Sequence, residues 1–440
     1  MRERDFTSRA FLWLTLVFAA AILFSCDAWN GGEVGLAPPP AAPWSGVEQF
    51  GTAAFDLPAG VATDPSGNVY VASMDGQSAV VRKFTSGGSL SWTSTVGAGT
   101  GVLVRSIAVS PTAVYVSGDT SVVLDNTGLG MGGGVDGFVV KYSFSGVKTG
   151  ALQIRESVGA TAPSDVAVDI SDHVYVGGYI DSVQLFVTKY DWSGASPSRS
   201  WITQYATLAP AITSSVFRIA LGNGLLHVTG PVGAPPTFGF YINRFSTSTG
   251  AQSGATILGN VSGGNDSIFA VAADALNNTY VAGGTDNNFG GVNAGVGDVI
   301  AAKYDAAGAN VWRYQIGSAR NETANSITLS GTSVYVAGTT GGQFGGQLNK
   351  DPGLSTSDAF LIKLPNSSTG PTVTADWVRM YGSTNGLSVS FNDQASGIAT
   401  DPSGNVFVVG NAVGFMESAT QILGNGDVFV LKVSAAGVLQ

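Results

Sequence analysis

Seven times between residues 67 and 410 the chain repeats one short phrase, a β-branched and aromatic run closed by a small residue. The copies are GNVYVAS at Tyr70, TAVYVSG at Tyr115, DHVYVGG at Tyr175, LLHVTG at His227, NTYVAGG at Tyr280, TSVYVAG at Tyr335 and GNVFVVG at Phe407. The first and last are preceded by the same eight residues, ATDPSGNV, at Ala62–Val69 and Ala399–Val406. Gly118, Gly178, Gly230, Gly283, Gly338 and Gly410 stand three residues after the aligned aromatic or His, with Ser73 in the first copy. The spacings of 45, 60, 52, 53, 55 and 72 residues fall in the range of a supersecondary unit that can bury its faces only by stacking on its neighbours.

Each copy contains four short apolar pieces. In the fifth they are AVAAD (Ala270–Asp274), TYVAG (Thr279–Gly283), DVIAAKY (Asp298–Tyr304) and NVWRYQIG (Asn310–Gly317), separated by turn residues. Val, Ile and aromatic enrichment at that length reads as strand, and DPSGN and YDAAGAN read as hairpin turns in which Asp bonds its own backbone and Gly supplies positive φ. Gly is 61 of 440 residues, apolar residues make 44% and charged ones only 11%, a mixture suited to many buried strands and unlike a disordered chain. The expected fold is therefore all-β: a seven-bladed β-propeller of four-stranded antiparallel blades, with strands A to D near 57–97, 104–159, 164–206, 216–259, 268–317, 324–382 and 395–440. The seventh copy ends at Gln440 without a fourth strand. PWSGVEQFG at Pro43–Gly51 carries a Trp and a closing Gly like the missing piece, so an N-terminal strand is expected to complete the last blade and close the ring.

GNVYVAG-type runs, FGGQLN or FGGVNAG, D-A-F-x-x-K-[YL] and a Trp strand ending in Gly resemble the bacterial propeller repeat family known as SBBP, over residues 43–440. The resemblance implies the propeller and no shared reaction.

Residues 1–25 read as a signal peptide: Arg2, Arg4 and Arg9, then an apolar run from Phe11 to Ser25 too short to span a bilayer comfortably. Leu23, Phe24, Ser25 and Cys26 resemble a bacterial lipoprotein box, which implies a lipidated Cys26 and a membrane anchor; an ordinary signal peptide with an unrelated Cys is the other reading. Residues 26–42 form a Gly/Pro-rich tether, and residues 43–440 the propeller domain, expected to be monomeric and displayed at the cell envelope, periplasmic or outer.

With 30 acidic against 20 basic residues the net charge is −10, which argues against a nucleic-acid partner. The only histidines, His173 and His227, and the lone Cys26 leave no His-based metal cluster and no Cys nucleophile. A basic residue closes the third strand of every copy (Lys83, Lys141, Lys189, Arg244, Lys303, Lys363, Lys432), and a residue demanded sevenfold reads as structural, solvated or paired with turn acids such as Asp64, Asp169, Asp274 and Asp401. Asp136, Asp298, Asp358 and Asp427 precede the third strand and read as turn caps; with Asp286–Asn288 they are the acids calcium would use, though no ordered ligand spacing is present. The long B–C and D–A loops put the ligand face on one side of the disc, in a groove walled by blades five to seven and containing Asp286, Asn287, Asn288, Phe391, Asn392 and Asp393. The reading is a binding or scaffold module for an envelope protein or glycan, without catalysis; the alternative is an exported polysaccharide hydrolase or lyase using loop carboxylates. Metabolic labelling with a palmitate analogue is expected to tag the wild-type protein and not Cys26→Ser; equal labelling of both removes the lipid anchor.

Overall fold

The computed structural model describes residues 44 and 46–440 apart from 98–100, 125–133, 158, 182–183, 195, 207–217, 235–236, 260–263, 344, 349–355, 385–391, 418, 420–422 and 425. Cys26 and the tether lie outside the described residues, and Ala42–Gln440 is one compact unit. Seven antiparallel sheets of four strands form a ring. Blade five is typical, with strand A at Asp266–Ala273, B at Thr279–Thr285, C at Asp298–Tyr304 and D at Asn310–Ile316. The A strands, beginning at Asp56, Val102, Thr161, Arg218, Asp266, Glu322 and Gln394, touch one another in cyclic order around the axis.

Burial explains why the B strands read as unbroken apolar runs. Every residue of Val69–Asp75, Val114–Thr120 and Val406–Ala412 is buried, because neighbouring blades cover both faces of the sheet. Strand D, at the outer edge, alternates between half-buried and exposed residues in blade one (Leu90–Thr95).

Strand A carries a β-bulge at one register in six blades, at Ala59, Arg105, Ser164, Phe269, Asn325 and Ser396. The bulge drives a strand A carbonyl toward the repeated glycine of strand B. A Cβ on Gly283 would fall 1.8 Å from the Ser267 oxygen, and one on Gly338 2.0 Å from the Thr323 oxygen. At these two positions only glycine fits, whereas blade one takes Ser73 at the same register.

The repeated aromatic, the basic residue and the Trp form one inter-blade latch. Lys83 Nζ lies 5.3 Å from the Tyr70 ring centre, and Lys141, Lys189 and Lys303 repeat the contact on Tyr115, Tyr175 and Tyr280. The same ammonium then donates to a carbonyl in the C–D turn of the next blade: Lys83 to Phe144 O (3.0 Å), Lys141 to Trp192 O (3.0 Å), Lys303 to Asn366 O (3.2 Å) and Lys363 to Ala435 O (3.2 Å). In two interfaces the strand D indole donates to that very oxygen, Trp92 to Phe144 O (3.0 Å) and Trp377 to Ala435 O (3.3 Å). The turn acids have a different task from the one expected of them as lysine partners. Asp64 accepts from the Ser66 and Asn68 N–H groups, from Asn68 Nδ2 and from the Tyr70 hydroxyl, and Asp274 repeats the set with Leu276, Asn278 and Tyr280. Among these four acids Asp64, Asp169 and Asp274 hold the A–B turn to the tyrosine and Asp401 holds its own turn.

The N-terminal segment closes the ring as the repeat count requires. Val47–Phe50 pairs antiparallel with Asp427–Val433, with Val47 opposite Leu431 and Phe50 opposite Val428. Gln49 Nε2 donates to Asp427 (3.0 Å), as Gln315 does to Asp298 (2.8 Å) and Gln153 to Asp136 (2.8 Å) in their own blades. Trp44 takes the latch position against Phe407 (5.4 Å between rings) and sits on Gly88, the C–D turn glycine of blade one. Gly46, at φ +94°, accepts the Lys432 N–H (3.2 Å) and extends the pairing toward Trp44. Trp44→Ala is expected to destabilise the domain by about 3–5 kcal/mol. Deleting 43–51 is expected to lower the melting temperature or cause aggregation, whereas deleting 30–41 leaves it unchanged; two indistinguishable melting curves would count against closure by this strand.

Candidate functional site

The face carrying the B–C and D–A loops is built by a repeated glutamine and a repeated acid. In blade five Gln315 Oε1 accepts from the Phe289, Gly290 and Gly291 N–H groups (2.7, 3.0 and 3.1 Å) while its Nε2 donates to Asn287 O and Asp298. The B–C loop is thereby laid outward over strand D, with Phe289 buried and its ring beneath the Arg313 guanidinium (5.4 Å). Gln49 does the same in blade seven, donating to Gly414 O (2.9 Å) and accepting from the Met416 N–H (3.0 Å). The D–A loops close on an acid beside strand A: Asp56 accepts from Thr52 N–H and hydroxyl, Glu322 from Ser318 N–H and hydroxyl, and Asp393 from Ser383 N–H (2.6 Å) and hydroxyl.

Within this frame, Asp286 accepts from Asn265 N–H (2.7 Å) and Nδ2 (2.6 Å), Asn287 Oδ1 from Asn288 N–H (2.8 Å), and Asn288 Oδ1 from Asn293 N–H (2.8 Å). Asn392 Oδ1 accepts from the Ser357 hydroxyl (3.2 Å), and Asp393 is buried under Ser383. Phe391 lies outside the described residues. The first three cluster at the blade-five loop and the last two at the junction of blades six and seven, with these oxygens engaged in loop structure. Asp136 is held by Gln153 and Arg155, Asp298 by Gln315 and the Ala294 N–H, and Asp427 by Gln49 and the Leu423 N–H. Among the described residues no three His, Cys, Asp or Glu side chains converge as a metal site requires.

The same face opens into the axial channel, and here the blades stop resembling one another. At the bulge stand Ala59, Arg105, Ser164, Phe269, Asn325 and Ser396; at the following register stand Gly60, Ser106, Asp165, Arg218, Ala270, Ser326 and Gly397. A cavity of about 440 Å³ forms the mouth over blades one to four, with Arg105, Arg218, Ser164 and the half-buried Tyr179 in its wall. A second of about 480 Å³ adjoins it at Met74 and Leu103. Arg105, exposed over 43% of its side chain, donates through Nε to Asp119 (2.7 Å). Arg218 donates to Ser164 O (3.2 Å). Asp165, half-buried, faces the channel: desolvation raises its carboxyl above the usual range, opposed by the Arg218 charge, by the Ile219 N–H (3.0 Å) and by the Ser106 hydroxyl (2.6 Å). The chain pattern gave no notice of this ring, because its positions are defined by not repeating.

Blade four departs in its latch as well. His227 replaces the tyrosine and Arg244 the lysine; the guanidinium donates to Ala306 O (2.6 Å), Asp305 O (2.7 Å) and Thr279 Oγ1 (3.1 Å). His227 Nδ1 pairs with Thr279 Oγ1 (2.8 Å). Burial, with the Arg244 charge second, pushes the His227 imidazole down to about 4.

Residues 376–414 match the SBBP beta-propeller repeat family model; they run from strand D of blade six into strands A and B of blade seven, across a blade boundary. The search of curated proteins finds no match. Among solved structures the chain is similar to YCF48 bound to a D1 peptide (11% identity, 90% of this chain and 98% of that one, TM-score 0.47). It is similar also to the β-propeller domain of the Trilobed protease from Pyrococcus furiosus, described as having an open velcro topology (7%, 88% and 98%, 0.48), and to the polysaccharide lyase Uly1 (10%, 93% and 94%, 0.46).

The depressed histidine makes blade four acid-sensitive. Below pH 6.5 the unfolded chain protonates at His227, while the folded protein does so only near pH 4, so folded-state stability falls as pH drops through that window. His227→Gln is expected to remove on the order of 2 kcal/mol of this loss, read from urea unfolding at pH 7 and pH 4.5. Identical acid slopes for both proteins would contradict the assignment.

Proposed function

We propose that this propeller is a binding module without catalysis, displayed at the bacterial envelope by a lipidated Cys26, and that it takes its ligand on the face of the B–C and D–A loops, at the mouth of the axial channel. The observation that carries the reading is the break in repeat symmetry there: every other recurrent polar side chain described above is used to hold turns, loops or blades together, whereas Arg105, Asp165, Arg218 and Asn325 differ from their counterparts in other blades. A rigid frame with non-equivalent side chains at one end is how a symmetric scaffold acquires a specific site. Guanidinium and hydroxyl donors beside the Tyr179 ring suit a hydroxyl- and carboxylate-rich ligand, which favours an envelope glycan; the long loops of blades five to seven, with Asp286, Asn287, Asn288, Phe391, Asn392 and Asp393, would wall the groove on the other side.

Binding is favoured over hydrolysis by the state of the acids. Asp56, Asp119, Asp136, Asp298, Glu322, Asp393 and Asp427 on this face are each bonded to a Thr, Ser, Gln or Arg side chain, which engages them in loop structure. The mature domain is expected to retain members of a glycan panel, and the double variant Arg105→Ala, Arg218→Ala to lose at least tenfold in affinity at unchanged melting temperature. Retention of envelope proteins but no glycan moves the ligand class; equal binding by the double variant moves the site; release of reducing ends from a bound glycan would establish hydrolysis.

A further inference from the structure

In six of seven blades an indole fills the space between the basic residue of strand C and the C–D turn of the next blade. Trp92, Trp201, Trp312 and Trp377 come from strand D and Trp44 from the N-terminal segment. Blade two has Gly150 opposite Lys141, and its indole is supplied from outside: Trp192, in the C–D turn of blade three, reaches back onto Tyr115 (5.8 Å) and lies 3.0 Å from where a Gly150 Cβ would stand. The position is thus filled even where its own strand fails to fill it.

Among the described residues blade four has no indole from either side. Ile257 pairs with Ile242 as Tyr314 does with Ala301, which gives Ala255 the strand D position of Trp312, and the strand then bulges so that the Ser253 N–H reaches Arg244 O (2.7 Å). A pocket of about 310 Å³ remains, lined by Leu225, Arg244, Gly254, Ala255, Ile257 and Gly308 among others. Its floor keeps the form of an indole seat. Gly308, at φ +92°, occupies the C–D turn position where Gly88, Gly146, Gly250 and Gly437 lie against Trp44, Trp92, Trp201 and Trp377; a Cβ there would meet only Ile257. The cation is also kept, in the planar form that stacks on a ring face, and Arg244 is 7% exposed with its Nε unpartnered. Burial holds His227 beneath it neutral at physiological pH, so the guanidinium supplies the local charge.

We propose that this pocket binds an aromatic ring, an indole above all, presented by a second polypeptide. Ser253, Gly254, Ala255, Ala306 and Ala307 are exposed along its edge, so a ring can enter while the chain bearing it stays in solvent. The site is on the turn face of the disc and independent of the channel mouth, so a partner can be held here while the other face is occupied.

The probes are acetyl-Gly-Trp-Gly-amide, the matching Leu peptide and free indole, titrated against the full chain by ligand-observed NMR. The Trp peptide is expected to bind at least tenfold more tightly than the Leu peptide. Ala255→Trp, which supplies the missing ring in cis, is expected to weaken it at least tenfold at equal or higher melting temperature. Ala255→Leu, a smaller plug, is expected to weaken it in the same direction and serves if the Trp variant misfolds. Equal binding of the two peptides, undiminished binding by both variants, or binding of indole without the Trp peptide overturns the proposal.

Discussion

A backbone carbonyl in the C–D turn, approached at six interfaces by an ammonium, guanidinium or indole N–H of the blade before it, is the contact on which the ring depends. The sheets themselves end at strand D, so what fixes the angle between blades is side-chain packing, this polar clasp and short backbone bridges such as Glu322 N–H to Gly297 O (2.8 Å) and Arg313 N–H to Pro371 O (3.0 Å). The donors come from a lysine that already lies over its own tyrosine, so a shift of one blade would break a cation–π contact and a hydrogen bond together. Each is worth on the order of 1 kcal/mol, but repetition around a closed ring makes the terms support one another. Trp44 matters because an open chain of seven blades has one interface too few, and this side chain completes it.

The glutamine of strand D has an equally far-reaching effect in the blades where it occurs. By binding the B–C loop it folds that loop outward over the blade edge, so loop length on this face becomes rim thickness as much as ligand contact. Variation is then left to the two strand A registers that face the axis. There the bulge has removed the pairing constraint from one residue per blade, and Ala, Arg, Ser, Phe and Asn are all accommodated.

Residues whose role is repeated were legible as such. Tyr280, Lys303 and Trp312 have counterparts in the same order in other blades, and the strand order and the N-terminal closure follow from counting the copies. The partner of Lys303, Asn366 O, was not legible, since it lies in another blade and is a backbone atom common to any residue. Gln49 likewise passed as one more polar residue of VEQFG, although it stands where Gln153 and Gln315 stand. Asp286 drew attention as a possible ligand-face acid, and Asn265 explains its presence in loop terms. The channel residues have no repeat to betray them, because their side chains differ from blade to blade.

Closure by Gln49 and Asp427 joins groups 378 positions apart. Blades one to six can assemble from neighbouring sequence as each becomes available, but the segment at 47–50 has no partner until the chain has been completed to residue 433. Until then an apolar edge stands open at both ends of a nearly finished ring, the kind of species that pairs with other chains when concentrated. Closing the ring is therefore a pairing of segments far apart in sequence, the kind of contact whose loop-closure entropy must be met before it forms.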